Sequence, residues 1–384
     1  MEPSLPDPPI TAIYEDDPDG HRLAFVEILV KYLFEKTKRP PLLVLTREIT
    51  ASKPYAVFLK SHEEKFERLV LEPGKKQNRL GRVFALRRAV HTLEKKNIQR
   101  LLIPGAGQMV KTIGLIRRLG LFRHRMNIRA MLYFILAVYP EKSRLQRWKN
   151  RVNFWLERRS SVDCFLLDGY AYELASRKYP FFPAPIEEPP LAWEEIPPSE
   201  MSLPSPDTAS GRPLCFGSLG GFLPRKGAPL LLQAFLQARF QGKPRLLLAG
   251  SARGTSLPES VKAAQQTLGA DRIQHQDGFL DNETYRENLR QIDVVCLPYL
   301  NHVGPSGLFS ESAAAGKITL VPNYGCLGWM GGKYNKNLLF EQGSVESLAA
   351  ALEEAERRHG ELSRIKGNYV PASSEDFCRT FCGF

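Results

Sequence analysis

Gly304-Pro305-Ser306-Gly307-Leu308-Phe309-Ser310-Glu311-Ser312-Ala313-Ala314-Ala315-Gly316-Lys317 stands between two short apolar runs, Asp293 to Leu297 and Ile318 to Val321. Runs of that length, bounded by turn residues, predict buried parallel strands, and the stretch between them predicts a loop that turns into a short helix. In such a βαβ unit the helix N-terminus presents unpaired backbone N–H groups at the carboxyl edge of the sheet, where phosphate is a natural ligand. Gly304 and Gly307 let the backbone come close to that ligand. Glu311 falls about one turn into the helix, where its carboxylate can meet a sugar's pair of hydroxyls while the amides hold phosphate. A loop of this kind also occurs as ordinary packing chemistry, so a second element is needed to decide between the two readings.

That element lies some ninety residues earlier. Leu214-Cys215-Phe216-Gly217-Ser218-Leu219-Gly220-Gly221-Phe222-Leu223-Pro224-Arg225-Lys226-Gly227 reads as a strand, a glycine-rich loop and a basic pair at a helix start. Cations are disfavoured at a helix N-terminus unless an anion offsets them, which favours a ligand there. The order of the two elements resembles the C-terminal half of family 4 glycosyltransferases, well over residues 210 to 355 and only in outline before that. The resemblance implies the GT-B fold, an α/β architecture of two Rossmann-like, doubly wound parallel-sheet domains facing a central cleft. It also implies transfer of a sugar with retention of anomeric configuration.

With 384 residues the chain has room for two α/β domains, each with its own core. A composition of 43% hydrophobic and 24% charged residues is that of a globular protein. Six cysteines form no CxxC pair and no metal-type array with histidine, so neither a disulfide framework nor a zinc site is indicated, and a reducing compartment fits. The N-terminus lacks the basic and apolar regions of a signal peptide, and the longest apolar run, Met131 to Val138, is too short to span a bilayer. A cytoplasmic protein is expected. Its formal charge of +12 is concentrated between 111 and 160, where thirteen Lys and Arg face two acidic residues. Such a density attracts anions, and peripheral contact with the inner face of an anionic membrane through 111–160 is one expectation, a solvated basic helix without a partner the other. A nucleic-acid partner is not expected.

Apolar periodicity predicts strands at Thr11–Tyr14, Leu42–Thr46, Leu101–Ile103, Ile128–Phe134 and Cys164–Leu167, with helices between them, including one over Ser143–Arg158 that carries Leu145, Trp148, Val152 and Trp155 on one stripe. Pro180 to Pro206, dense in Pro, Glu and Ser, reads as a connection that cannot form a core. Beyond it strands at 214–216, 245–249, 272–276 and 293–297 alternate with helices. The organisation expected is an N-terminal Rossmann-like acceptor-side domain over 1–190 and a linker over 191–212. A C-terminal Rossmann-like nucleotide-sugar-binding domain follows over 213–358, and a segment over 359–384 crosses back, as in the family.

By resemblance, Lys226 meets the diphosphate of a nucleoside-diphosphate sugar, whose charge grows as the glycosidic bond breaks, with Arg225 beside it. The amides of Gly307, Leu308 and Phe309 and the residue Ser306 complete a phosphate cradle, and Glu311 is similar to the second glutamate of the family's E-x7-E motif, on the ribose hydroxyls. Lys226 and Glu311 are thus the catalytic candidates. Gly220, Gly221, Gly250, Gly278 and Phe279, each near a strand end, match places where the donor lies. No cofactor or metal is implied beyond the donor substrate, although Asp17-Pro18-Asp19 has the D-x-D spacing with which other glycosyltransferases hold a cation. Gly20, His21, Arg22 and His302 are cleft or acceptor candidates, and the acceptor could be a glycan, a lipid or a small molecule. Three positions depart from the family: Val303 stands where the first E-x7-E glutamate belongs, Ser218 where an arginine often follows glycine, and Tyr133-Phe134 where a histidine is expected. These departures leave open a catalytically silent GT-B protein that binds a sugar nucleotide or glycan.

Overall fold

The computed structural model describes residues 10–17, 22–71, 79–107, 109–122, 124–139, 143–177, 179, 182–193, 212–252 and 254–383. The chain divides into two compact units, Met1–Glu187 with Ser373–Phe384, and Glu188–Ala372. Each is built on a parallel sheet with helices between the strands.

The strands of the first unit are β1 (Thr11–Glu15), β2 (Leu42–Thr46), β3 (Glu67–Leu71), β4 (Arg100–Ile103), β5 (Asn127–Leu132), β6 (Asp163–Leu166) and β7 (Ala184–Pro185). They pair in the order β3-β2-β1-β4-β5-β6-β7. The helices are α1 (Arg22–Thr37), α2 (Arg47–Thr50), α3 (Lys53–Phe58), α4 (Arg79–Lys95), α5 (Met109–Arg118), α6 (Arg144–Arg158) and α7 (Gly169–Ala175). Central strands read as near-continuous aliphatic runs because helices cover both faces: Leu42 to Leu45 are all buried.

In the second unit β8 (Cys215–Leu219), β9 (Arg245–Ala249), β10 (Ile273–Gln276), β11 (Val294–Cys296), β12 (Ile318–Pro322) and β13 (Asn337–Phe340) pair in the order β10-β9-β8-β11-β12-β13. Its helices are α8 (Ala228–Gln237), α9 (Leu257–Leu268), α10 (Asn282–Gln291), α11 (Gly307–Ala314), α12 (Gly325–Lys333) and α13 (Val345–Leu362). One core, with Phe216, Phe235, Leu246, Leu248, Val294 and Leu352, lies on one face of the sheet. The other, with Leu219, Leu247, Leu289, Val295, Tyr299 and Phe309, lies on the opposite face. A last helix, α14 (Ser374–Cys382), belongs to the first unit, where Phe377 meets Phe25 at 5.3 Å between ring centroids.

Both sheets turn back on themselves at one point, between β1 and β4 in the first and between β8 and β11 in the second. In doubly wound sheets ligands bind beyond the carboxyl ends of the strands flanking such a point, because the loops diverge there and leave a crevice.

The proline-rich run is more structured than its composition predicts. Ala184 and Pro185 add an edge strand to β6, where a missing N–H costs nothing, and Ile186 N–H donates to Leu166 O at 2.9 Å. Leu191 and Ala192 are buried in the second unit, Ala192 within its core.

Candidate active site

The crevice of the second unit begins at the end of β8. Gly220, with φ of +102°, and Gly221 have open space around the position of an added side chain. Gly250, with φ of +140°, is required for another reason: an added Cβ would lie 1.8 Å from the Gly220 carbonyl oxygen, so the loops after β8 and β9 touch backbone to backbone. Gly278, after β10, also has positive φ and open space, with Phe279 half-buried beside it.

From Gly221 the chain runs into a single 3₁₀ turn, Pro224–Lys226, and Gly227 then takes φ of +67° as it enters α8. A Cβ on Gly227 would sit 1.9 Å from the Pro298 carbonyl oxygen, and Leu300 N–H donates to Arg225 O at 2.8 Å. The loop after β8 is therefore seated on the loop after β11. Lys226 Nζ donates to the Tyr299 hydroxyl and lies 4.0 Å from that ring's centroid. The Tyr299 hydroxyl in turn shares a 3.0 Å hydrogen bond with Ser306 Oγ. Two stretches eighty residues apart in sequence thus meet through Lys226, Tyr299 and Ser306 at the switch point of the sheet.

Ser306 is the N-cap of α11, but its side chain makes no capping bond because it is engaged by Tyr299. Its carbonyl accepts from Phe309 N–H at 3.0 Å, so the helix already uses that amide. Gly307 and Leu308, the first two residues of the helix, have N–H groups with no intrahelical acceptor, as at every helix start. The Leu308 and Phe309 side chains face the core.

His302 is held from both sides. Its Nε2–H donates to Pro305 O at 2.8 Å, which leaves Nδ1 to accept from Arg225 Nη1 at 3.3 Å. Burial pushes its pKa down to about 4, with Arg225 and Lys226 adding to the effect and the Pro305 carbonyl opposing it. It is a neutral, pinned imidazole at pH 7. Val303 is buried, and its carbonyl accepts from Cys326 N–H at 2.7 Å.

Glu311 is 8% exposed. One carboxyl oxygen, Oε1, accepts from Ala192 N–H at 2.9 Å, and Ala192 O accepts from Arg286 Nη1 at 2.7 Å. The other oxygen, Oε2, is buried without a hydrogen-bond partner among the described residues. Burial pushes the Glu311 pKa up to about 8, against the pull of the Ala192 N–H, with the Glu188 charge raising it further and Arg286 lowering it. Glu188 keeps some surface exposure yet is surrounded by protein, and burial raises its pKa to about 7 against the attraction of Lys226. Burial also holds the Tyr285 hydroxyl well above its ordinary range, with Glu311, Tyr299 and Glu188 nearby adding to the effect. The crevice therefore holds one cationic side, around Arg225 and Lys226, and one carboxyl-rich side, around Glu311 and Glu188.

Sequence reading did not single out Tyr299, Ala192, Arg286 or Glu188. Tyr299 had a usable signal, its place just beyond a buried strand at a carboxyl edge, whereas Glu188 and Ala192 sit inside the proline-rich run.

Arg22 lies in the first unit, at that sheet's own switch point. Its Nη1 is 3.3 Å from Glu15 Oε1, 3.2 Å from Asp17 Oδ2 and 3.4 Å from Gly105 O. Glu15, 2% exposed, takes the Asp16 and Asp17 N–H groups on the same Oε1, both at 3.0 Å, while its Oε2 is buried without a hydrogen-bond partner among the described residues. Burial raises the Glu15 pKa to about 7, with Arg22 opposing. Gly20 and His21 lie outside the described residues, as do Pro18 and Asp19 of the D-x-D sequence. Among the described residues no group of three or more His, Cys, Asp or Glu side chains could hold a metal ion.

Residues 206–369 match the family of glycosyl transferases group 1. The chain matches no curated protein. Solved structures with the same fold include Anabaena HepE in complex with UDP, at 15% identity and a TM-score of 0.62, over 97% of this chain and 95% of that one. Sucrose-phosphate synthase from Thermosynechococcus elongatus is similar at 14% identity and a TM-score of 0.66, over 97% and 94%. WaaG, a glycosyltransferase involved in lipopolysaccharide biosynthesis, is similar at 14% identity and a TM-score of 0.64, over 98% and 100%. With two parallel-sheet domains of the GT-B fold and a group 1 domain over 206–369, the chain is a glycosyltransferase.

Proposed function

We propose that the chain transfers a sugar, with retention of configuration as in family 4, from a nucleoside-diphosphate sugar to a glycan, lipid or small-molecule acceptor in the cytoplasm. The observation that carries this reading is the Lys226–Tyr299–Ser306 chain, which puts an ammonium group and a helix N-terminus at one switch point. A leaving diphosphate there would meet Lys226 as its charge grows, Gly220 and Gly221 would allow close backbone approach, and the Gly307 and Leu308 amides would face its oxygens. Glu311 would take the ribose hydroxyls through its unsatisfied Oε2. The UDP bound to HepE makes uridine nucleotides the first donors to try.

On this reading His302 positions Arg225 and exchanges no proton, since it is neutral and bonded at both nitrogens. A same-face, diphosphate-assisted route needs no protein nucleophile, so the absence of a carboxylate at Val303 bears on which sugar is held more than on the reaction. The buried Val303 favours one second reading, a protein that binds the nucleotide without transferring its sugar.

Thermal shift with UDP, GDP, ADP and their sugars tests the proposal. A true donor at about a hundred times its Kd should stabilise by roughly 2.7 kcal/mol. Release of the nucleoside diphosphate from the stabilising sugar nucleotide supports transfer, binding without release supports the second reading, and no stabilisation by any nucleotide would sink both.

A further inference from the structure

α5 and α6 lie side by side in the first unit, so close at Gly114 that an added Cβ would sit 1.9 Å from the Leu156 carbonyl oxygen. Their outer side is apolar. Leu119 is 64% exposed, Leu145 and Trp148 are each 61% exposed, and Leu115, Leu121 and Trp155 are exposed as well. Six of the fifteen exposed large hydrophobic residues identified among the described ones fall on this pair of helices and the turn after α5, so the exposure is concentrated and not scattered. Leu145, Trp148 and Trp155 share one stripe of α6, and Leu119, in the turn after α5, follows Leu115 by four residues, its N–H donating to Leu115 O at 3.3 Å. The Arg118 guanidinium lies 4.8 Å from the Trp155 ring centroid, and Arg117 Nη1 donates to Arg159 O at 3.1 Å, which joins the two stripes.

Cations surround this strip. Arg117, Arg118, Arg144, Arg147, Arg151 and Arg158 are exposed, and the only acid on either helix is the half-buried Glu157. We propose that the α5–α6 face docks on a bilayer bearing anionic lipid, with Leu119, Leu145 and Trp148 entering the headgroup region and the arginines meeting lipid phosphate and carboxylate. A bilayer surface takes both halves of this chemistry, since indole and leucine side chains partition into the interface while arginine pairs with anionic headgroups. A second copy would bring two arginine-rimmed faces together, and a nucleic acid would leave the leucines without a partner. No described helix is long and apolar enough to cross a membrane, so attachment through this face would be peripheral.

The test uses the full chain and vesicles of phosphatidylcholine alone or with about a third phosphatidylserine. Co-sedimentation is expected with the mixed vesicles only, accompanied by a blue shift of tryptophan emission. The triple variant Arg144→Glu, Arg147→Glu, Arg151→Glu should weaken binding by about two orders of magnitude or more. Leu145→Ser with Trp148→Ser should abolish the blue shift and the binding that persists in high salt. All five positions are exposed, so thermal melting should match wild type and any loss of binding is not unfolding. Equal binding to both vesicle types, no binding to either, or a dimer in sedimentation equilibrium that Leu145→Ser with Trp148→Ser dissolves would each overturn the proposal. UDP affinity is a separate readout, so failure here and failure of the donor reading can be told apart.

Discussion

On the proposed function Lys226 and Glu311 have different tasks at the crevice, and the difference can be measured. On that proposal Lys226 would face charge that grows during reaction, so Lys226→Ala should lower kcat by about 10²- to 10³-fold with a smaller effect on donor binding, in steady-state kinetics beside a UDP titration. Glu311 has a different signature because its pKa is raised to about 8 in the folded protein. Between the ordinary carboxyl range and pH 8 the unfolded chain has lost that proton while the folded chain keeps it. The folded state then binds more protons, and stability falls as pH rises through this window. Glu311→Gln should remove its share of that slope, leaving the variant close to wild type near pH 4 and more stable by up to a few kcal/mol near pH 9, by chemical denaturation at each pH. The same substitution should weaken UDP binding. The sequence marks Lys226 and Glu311 as candidates through a basic pair before glycine at a helix start and the resemblance of Glu311 to a family glutamate. The Ala192 bond to Glu311 was not legible there, since it pairs a backbone N–H with a side chain 119 residues away.

At the scale of elements, strands buried on both faces were the easiest to read. Leu42–Thr46 and Arg245–Ala249 begin and end where their aliphatic runs do. Edge strands escaped: Glu67–Leu71 alternates exposure along one rim, and Ala184–Pro185 lies in a stretch whose prolines suggest a linker. Gly325–Lys333 also escaped, because four glycines in nine residues argue against a helix even though tertiary packing makes one. Gly331, for instance, leaves no room for a Cβ beside Val321. The turn at Gly227 joins element to function. Gly227→Ala would strain a positive φ and press on Pro298 O, lifting the Lys226 turn from the Tyr299 loop. A loss of about 1–3 kcal/mol in stability is expected, with a fall in kcat and an unchanged fold by circular dichroism.

At the scale of the molecule, the helix nearest the C-terminus completes the unit that contains the N-terminal strand. Phe377 lies 5.3 Å from Phe25, and Phe381 lies 5.6 Å from Phe165, ring centroid to centroid. Phe377→Ala and Phe381→Ala should each cost about 3–5 kcal/mol, and hydrogen exchange should show the loss of protection in residues of the first unit while β8 to β13 stay protected. Two doubly wound units were legible from the alternation of strands and helices and from the change of composition between them. The limits of the connection were not, because proline content reports what the backbone avoids and is silent on where it binds.

The bond between Ala192 and Glu311 also sets where this protein can be cut and recombined. A second unit excised after the proline-rich run would leave behind the peptide that satisfies Glu311 and the carbonyl that receives Arg286, and would arrive in a chimera with a bare acid at its centre. The transferable module of this chain therefore starts at Glu188, and any exchange of its second unit has to carry the residues ahead of the first strand along with it.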